Sequence, residues 1–153
     1  MKIQDSISIN ADRARVFAVF CDLENAAANI SAITKLEVLA GPSQLNLGTR
    51  WRETRTMFGR QASEVMWVTE YTENASYAVE AESHGTHYRT EYRFSAEGNG
   101  TRVTMTFVGK PVSFGARLLS PISLLFISAS KKACRQDLLQ LKRACEAAAR
   151  PGP

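Results

Sequence analysis

Between residues 33 and 108 the sequence is divided by short polar or glycine-containing breaks that recur about every ten residues. Within the segments, apolar and polar residues alternate, as they do on β-strands that bury one face. The alternation is clearest in "THYRTEYRF", residues 86–94, where Tyr88 and Tyr92 share one face and charged residues occupy the other. This pattern predicts an antiparallel meander of about six strands.

Different elements flank the meander. A first strand, "KIQDSISI", is followed by a helix for which Asn10 is the predicted N-cap and by a short alanine-rich helix, "LENAAANI". From Ser113 the period becomes helical, which predicts one long helix that ends near Ala149; Pro121 either kinks this helix or marks a second start. The predicted fold is therefore α+β. A curved antiparallel sheet of about seven strands wraps round a long C-terminal helix, with two short helices after strand 1.

The composition is that of one globular domain. The chain has 153 residues, of which 44% are hydrophobic and 22% charged, so we expect a single domain over residues 1–149 and a flexible tail at 150–153. The net charge of +4 is small and dispersed, which argues against nucleic-acid binding. An odd number of cysteines and no signal peptide favour a reducing, cytoplasmic location. The longest apolar stretch, residues 118–129, is too short for stable membrane insertion.

Several stretches in this order are typical of one known superfamily. They are "ISINADRARVFAVFCDLENAAANI", "LGTRWRETRTMFGR", "VTEYTENASYAVEAES", "GTRVTMTF" and "DLLQLKRACE". The chain resembles the START-like (SRPBCC) superfamily, in particular its polyketide cyclase/dehydrase branch. The resemblance implies a helix-grip fold and a deep apolar cavity that holds a small hydrophobic ligand. Relatives commonly carry a Trp where Asn29 stands, so we expect the cavity to be wider or more polar at that end.

One strand carries two charges on its predicted inner face. In "GTRWRETRTMFGR", residues 48–60, Glu53 and Arg55 share a face with Trp51 and Met57. Since a buried charge is tolerated only when it is paired, one interpretation is that the two line the cavity as a pair. Arg55 would then offer a fork to a carboxylate, phenolate or carbonyl, and Glu53 an acceptor or base.

Two other interpretations of this strand stay open. The strand edge twists so that Glu53 and Arg55 reach water or pair with neighbours across the sheet. Alternatively, the register is the opposite one, and Arg52, Thr54 and Thr56 face inward.

The remaining candidate ligand-binding residues are aromatic or apolar. Tyr77, Tyr88 and Tyr92 are either core aromatics or hydrogen-bond donors to a ligand. Apolar wall is expected from the residues that face the sheet–helix interior, because ligand cavities are mostly apolar. These are Trp51, Met57, Met105, Phe107, Leu118, Ile122 and Phe126.

Other kinds of site find little support. His84 and His87 are interpreted as exposed turn residues, and no third ligand at metal-binding spacing accompanies them. We expect no metal and no cofactor. The far side of the apolar helix, near Leu124 and Ile127, is interpreted as a homodimer surface or a pocket lid rather than a membrane-touching patch.

Three functions are compatible with these features. The leading hypothesis is a binding protein for a small hydrophobic molecule. The alternative is a cyclase or dehydratase acting on an aromatic or polyketide-like substrate, with Glu53 as general base and with Arg55 and a tyrosine stabilising an enolate. The third is an interaction or stress-response module whose pocket is collapsed.

Overall fold

The computed structural model describes the backbone of residues 1–57, 59–112 and 123–149, and their side chains except at Met57, 123–126 and 148–149. The elements follow the predicted order. They are β1 (Lys2–Ile9), α1 (Arg13–Phe20), α2 (Ala26–Asn29), β2 (Ile33–Ala40), β3 (Arg50–Met57), β4 (Arg60–Thr72), β5 (Ser76–Ser83), β6 (Thr86–Glu97), β7 (Gly100–Pro111) and α3 (Ser123–Ala149). The predicted α+β helix-grip fold is confirmed, including the two short helices after strand 1.

All seven strands form one antiparallel sheet in the order β1-β7-β6-β5-β4-β3-β2, so β1 and β2 are its two edges. Helix α3 is tied to both edges. Lys142 Nζ donates to the backbone oxygen of Ser8 in β1 at 2.7 Å. Gln140 exchanges two hydrogen bonds with Ser31, just before β2, at 2.7 and 2.9 Å. The helix therefore closes the opening that a curved, unclosed sheet leaves between its edge strands.

The strand registers define which side chains share a face, because directly opposed residues point to the same side. The inner face, towards α1 and α3, carries three successive rows. These are Tyr77–Tyr92–Met105, then Val68–Val79–Thr90–Phe107, then Trp51–Met66–Ala81–Tyr88. Phe17 of α1 packs edge-on against Tyr77 and Phe94, with ring centroids 6.1 and 5.1 Å apart. The core thus lies between the inner face and the helices.

The predicted start of α1 is wrong by two residues. Asp12, not Asn10, is the N-cap, and its Oδ1 accepts a hydrogen bond from the backbone N–H of Arg15 at 2.7 Å. Both residue types make good caps, and the one directly before the first helical residue, Arg13, occupies the position. The predicted helix start at Ser113 and the kink or second start at Pro121 lie outside the described residues.

Cys21 and Cys145 are buried, and Cys134 is half-buried. Cys21, Cys134 and Cys145 are all free thiols. Burial raises the pKa of Cys21 and of Cys145 to about 12 and that of Cys134 to about 11, so all three stay protonated and unreactive at neutral pH. Among the described residues, no helix is long and apolar enough to cross a membrane.

One of the two histidines does not occupy a turn, contrary to the prediction. His84 is an exposed turn residue with φ of 51°. His87, however, lies on β6, facing outward and half-buried. Its Nε2 lies 2.8 Å from Glu80 Oε1 and its Nδ1 lies 3.3 Å from Glu82 Oε1. Both neighbours come from β5, so His87 links the two strands on the outer face.

We expect His87 to titrate above the ordinary imidazole pKa of 6.5, because its hydrogen bond to Glu80, and then that to Glu82, favours the imidazolium. Since the folded-state pKa is the higher one, this stabilisation is complete below about pH 6.5 and is lost as the pH rises through the raised pKa. An NMR pH titration of the ring protons measures the value. Glu80→Gln should lower it, and a wild-type pKa at or below 6.5 would contradict the assignment.

Candidate functional site

Strand β3 places its charged pair on the inner face. Trp51 and Glu53 are 4% and 8% exposed, whereas Arg52 between them is exposed. The parity predicted for Trp51 and Glu53 is therefore confirmed, and the opposite register is wrong. Arg55 shares this parity and is half-buried. The interpretation in which the strand twists both charges into water is also wrong, since Glu53 is buried.

The charges are held by a compact set of contacts. Arg55 Nε donates to Glu53 Oε2 at 2.5 Å, and Arg55 Nη1 donates to Asp137 Oδ2 at 2.7 Å. The indole N–H of Trp51 donates to the second oxygen of Glu53 at 3.3 Å. We call Glu53, Arg55 and Asp137 the acid–arginine cluster. Its contacts join β3 to α3 at the inner face of the sheet.

Asp137 is the member that the sequence analysis missed. It lies on α3 next to the buried Leu138, three residues after Cys134 and four before the buried Leu141. Residues spaced by three and four lie on one face of a helix, so an acid at this position falls within the buried stripe. The signal that could have found Asp137 is an acidic residue within the buried stripe of a helix, where that helix covers a sheet with an inward-facing Arg.

The cluster is not electrically balanced, because one guanidinium faces two carboxylates. Burial raises the pKa of Asp137, the charge of Glu53 raises it further, and Arg55 opposes both. Tyr92 lies close to the cluster. Its pKa is also raised, first by burial and then by the charge of Asp137. The site therefore disfavours additional negative charge.

Part of the inner face remains accessible to solvent. Six inward-facing side chains on β4, β6 and β7 are only partly buried, and we call them the half-exposed inner patch. They are Glu64, Met66, Tyr88, Thr90, Tyr92 and Phe107. By contrast, their row neighbours Val79, Ala81 and Met105 are buried. The patch lies beside the acid–arginine cluster, because Glu64 is directly opposite Glu53.

Aromatic rings give this patch flat walls. Tyr88 stacks on Phe107 with ring centroids 5.5 Å apart, and Tyr92 stacks on Tyr77 at 5.1 Å. Gly109 lies opposite Tyr88, and a Cβ there would come within 3.2 Å of the ring. The absence of a side chain at Gly109 therefore allows the Tyr88 ring to lie flat against the sheet.

The other predicted site residues divide into two groups. Tyr77 and Met105 are buried in the core, and the Tyr77 hydroxyl donates to the backbone oxygen of Phe20 at 3.5 Å. Leu118 and Ile122, and the side chains of Met57 and Phe126, lie outside the described part of the chain. A ligand-binding role for any of these residues stays a prediction.

The wider or more polar cavity end expected at Asn29 stays a prediction, because the cleft found there is an open one on the surface. Asn29 lines an open cleft of about 370 Å³ between α2 and α3, together with Ser31, Gln140 and Arg143. A second open cleft, of about 350 Å³, lies at the β1 edge near Lys142. Within the described ranges, no group of three or more His, Cys, Asp or Glu side chains could hold a metal ion.

Comparison with known proteins decides the family. A family described as "Polyketide cyclase / dehydrase and lipid transport" matches residues 1–146. The chain belongs to this family. The START-like (SRPBCC) resemblance is thereby confirmed. No curated protein matched the sequence.

Solved structures support the same fold. A Thermus thermophilus protein, TTHA0849, is 21% identical, with a TM-score of 0.80 over 98% of this chain and 100% of that one. The Zhui aromatase/cyclase from a Streptomyces species is 14% identical, with a TM-score of 0.80 over 98% of this chain and 96% of its own. Major latex-like protein 151 from Panax ginseng is 15% identical, with a TM-score of 0.70 over 99% and 98%. At these identities the likeness concerns the fold alone.

We expect Arg55→Ala to lower the free energy of unfolding by about 2–4 kcal/mol, because it leaves Glu53 and Asp137 together in a half-buried site with no cation. Urea unfolding measures the loss. Arg52→Ala is the matched control on the same strand. Its pair with Glu37 joins side chains that are 49% and 41% exposed, and its loss should be about 0–1 kcal/mol. Equal losses in the two variants would contradict a structural role for the cluster.

Proposed function

We propose that this member of the polyketide cyclase / dehydrase and lipid transport family binds a small hydrophobic molecule against the half-exposed inner patch. The observation that carries the proposal is that apolar and aromatic side chains face the interior between sheet and helix yet keep contact with solvent. A filled core would bury Met66, Tyr88 and Phe107 as completely as it buries Val79 and Met105. Their partial exposure supports a space that an apolar ligand can fill.

The polar atoms beside the patch would orient the ligand. The hydroxyl groups of Tyr88 and Tyr92 can each donate a hydrogen bond or accept one. The acid–arginine cluster lies at the β3 side of the patch and supplies charged groups there. A mostly apolar wall with a few placed polar groups is the usual composition of a small-molecule site.

The test is a fluorescence titration with the neutral apolar probe N-phenyl-1-naphthylamine. We expect saturable one-to-one binding to the wild type. Thr90→Trp, which puts a large ring in the middle of the patch between Val79 and Phe107, should weaken binding about tenfold or more because the ring occupies the ligand volume.

Thr106→Trp is the matched control. Thr106 lies on the neighbouring strand β7, opposite the outward-facing Glu91, so the same substitution falls on the outer face. Probe affinity should stay at the wild-type value in this variant. No saturable binding to the wild type, or equal weakening in both tryptophan variants, would refute the proposed site.

The second candidate function is a cyclase or dehydratase, which the family description names. The predicted base, Glu53, has both carboxylate oxygens engaged, one by Trp51 and one by Arg55. Asp137 offers a better proton acceptor in this hypothesis, because among the described residues only its Oδ2 is bound, by Arg55, and its pKa is raised by burial.

A turnover screen with aromatic and polyketide-like substrates tests the enzyme hypothesis. If Glu53 is the base, Glu53→Gln abolishes turnover. If Asp137 is the base, Asp137→Asn abolishes it, while Glu53→Gln, which retains a hydrogen-bond acceptor for Arg55, keeps part of it. Full turnover in both variants would exclude either carboxylate as the base.

The remaining expectations stay predictions. An interaction or stress-response role would use the apolar start of α3, where Ile127 is half-buried and the side chain of Leu124 lies outside the described residues. A homodimer through that face, a cytoplasmic location and the lack of a nucleic-acid partner likewise rest on the sequence analysis alone.

A further inference from the structure

We propose that the inner-patch site selects ligands whose polar end is an uncharged hydrogen-bond donor, such as an alcohol or phenol, and rejects ligands that end in a carboxylate. This inference rests on the proposed function and names the ligand class of that same site. It reverses the expectation from sequence that Arg55 offers its fork to an acidic ligand.

Arg55, the cation of the site, already pairs with two carboxylates of the protein. It donates through Nε to Glu53 and through Nη1 to Asp137. A ligand carboxylate would be the third anion around one cation. Bidentate binding of the kind that makes Arg an acid receptor would require it to displace Glu53 or Asp137.

The half-exposed inner patch itself carries an acidic residue, Glu64. Glu64 on β4 lies directly opposite Glu53, is half-buried, and points to the inner face. Within residues 1–57, 59–112 and 123–149 its side chain makes no hydrogen bond or ion pair. Like charges directly opposed on a sheet repel each other. An ionised ligand end placed between Glu64 and the cluster would add a further negative charge to this side of the site.

The same carboxylates can accept hydrogen bonds from an uncharged ligand. An ionised carboxylate has only acceptor sites, and each oxygen can take more than one hydrogen bond. Glu64 and Asp137 Oδ1, which has no partner within the described part of the chain, can therefore receive an O–H group from a ligand without any change in net charge. The aromatic walls formed by Tyr88–Phe107 and Tyr77–Tyr92 suit the apolar remainder of such a molecule.

Competition with a matched pair of ligands tests the proposal. 1-Decanol and decanoate, which have the same chain length, are titrated at neutral pH and below their aggregation limits against bound N-phenyl-1-naphthylamine. We expect decanol to displace the probe from the wild type at a concentration at least about tenfold lower than decanoate, because like-charge contacts at a half-buried site are costly.

Glu64→Gln tests whether the charge of Glu64, and not another cause of weak decanoate binding, produces this difference. The variant keeps the size of the side chain and removes its charge, so the factor by which decanol competes better than decanoate should fall several-fold. Glu73→Gln is the matched control, since Glu73 is exposed in the turn between β4 and β5. It should leave both competitors at their wild-type values.

The outcomes distinguish this inference from the proposed function. If the probe binds but decanoate competes as well as decanol, the selectivity is wrong and the binding site stands. If Glu64→Gln and Glu73→Gln change the competition equally, Glu64 is not the source of the selectivity and the inference also fails. If the probe does not bind to the wild type, both proposals fall together.

Discussion

The bridge that Arg55 makes between Glu53 and Asp137 is the contact on which the organisation of the interior depends. Glu53 belongs to β3 and Asp137 to α3, so one guanidinium joins the sheet to the helix that covers it. The two carboxylates also require the cation between them. If Arg55 is removed, two carboxylates remain where water cannot fully solvate them. When Arg55 is present, its two contacts fix α3 against the β3 side of the inner face.

The interior is not packed equally throughout. From Cys134 to Cys145 the helix contributes buried residues to the core and hydrogen bonds to both sheet edges. On the sheet, many core residues are buried. Partial exposure is instead found in the rows of Thr90 and Tyr88. A firmly packed half beside a more accessible half is an arrangement in which a ligand can enter without unfolding the domain.

Periodicity was sufficient to predict the fold, because each strand buries one face and turns recur at regular spacing. It also identified the inward parity of Glu53 and Arg55. It could not find Asp137, because the partner of an inward charge lies more than eighty residues away in sequence, and only the folded chain brings the two together. His87 shows the same limit. Its position near the start of the predicted strand 86–94, two residues after Gly85, led to a turn interpretation, but cross-strand pairing with Glu82 places it in β6.

The order of the sheet has a kinetic consequence. Within the described residues strand β1 pairs with β7 alone, and Lys2 lies opposite Val108. The first strand therefore finds this neighbour only after the strands between them have been connected in sequence. Closing so long a loop costs entropy before any contact repays it, and domains dominated by such pairings fold slowly. During that interval the apolar side of β1, with Ile3, Ile7 and Ile9, is unprotected. This strand is therefore where the chain is most exposed to mispairing with other chains while it folds.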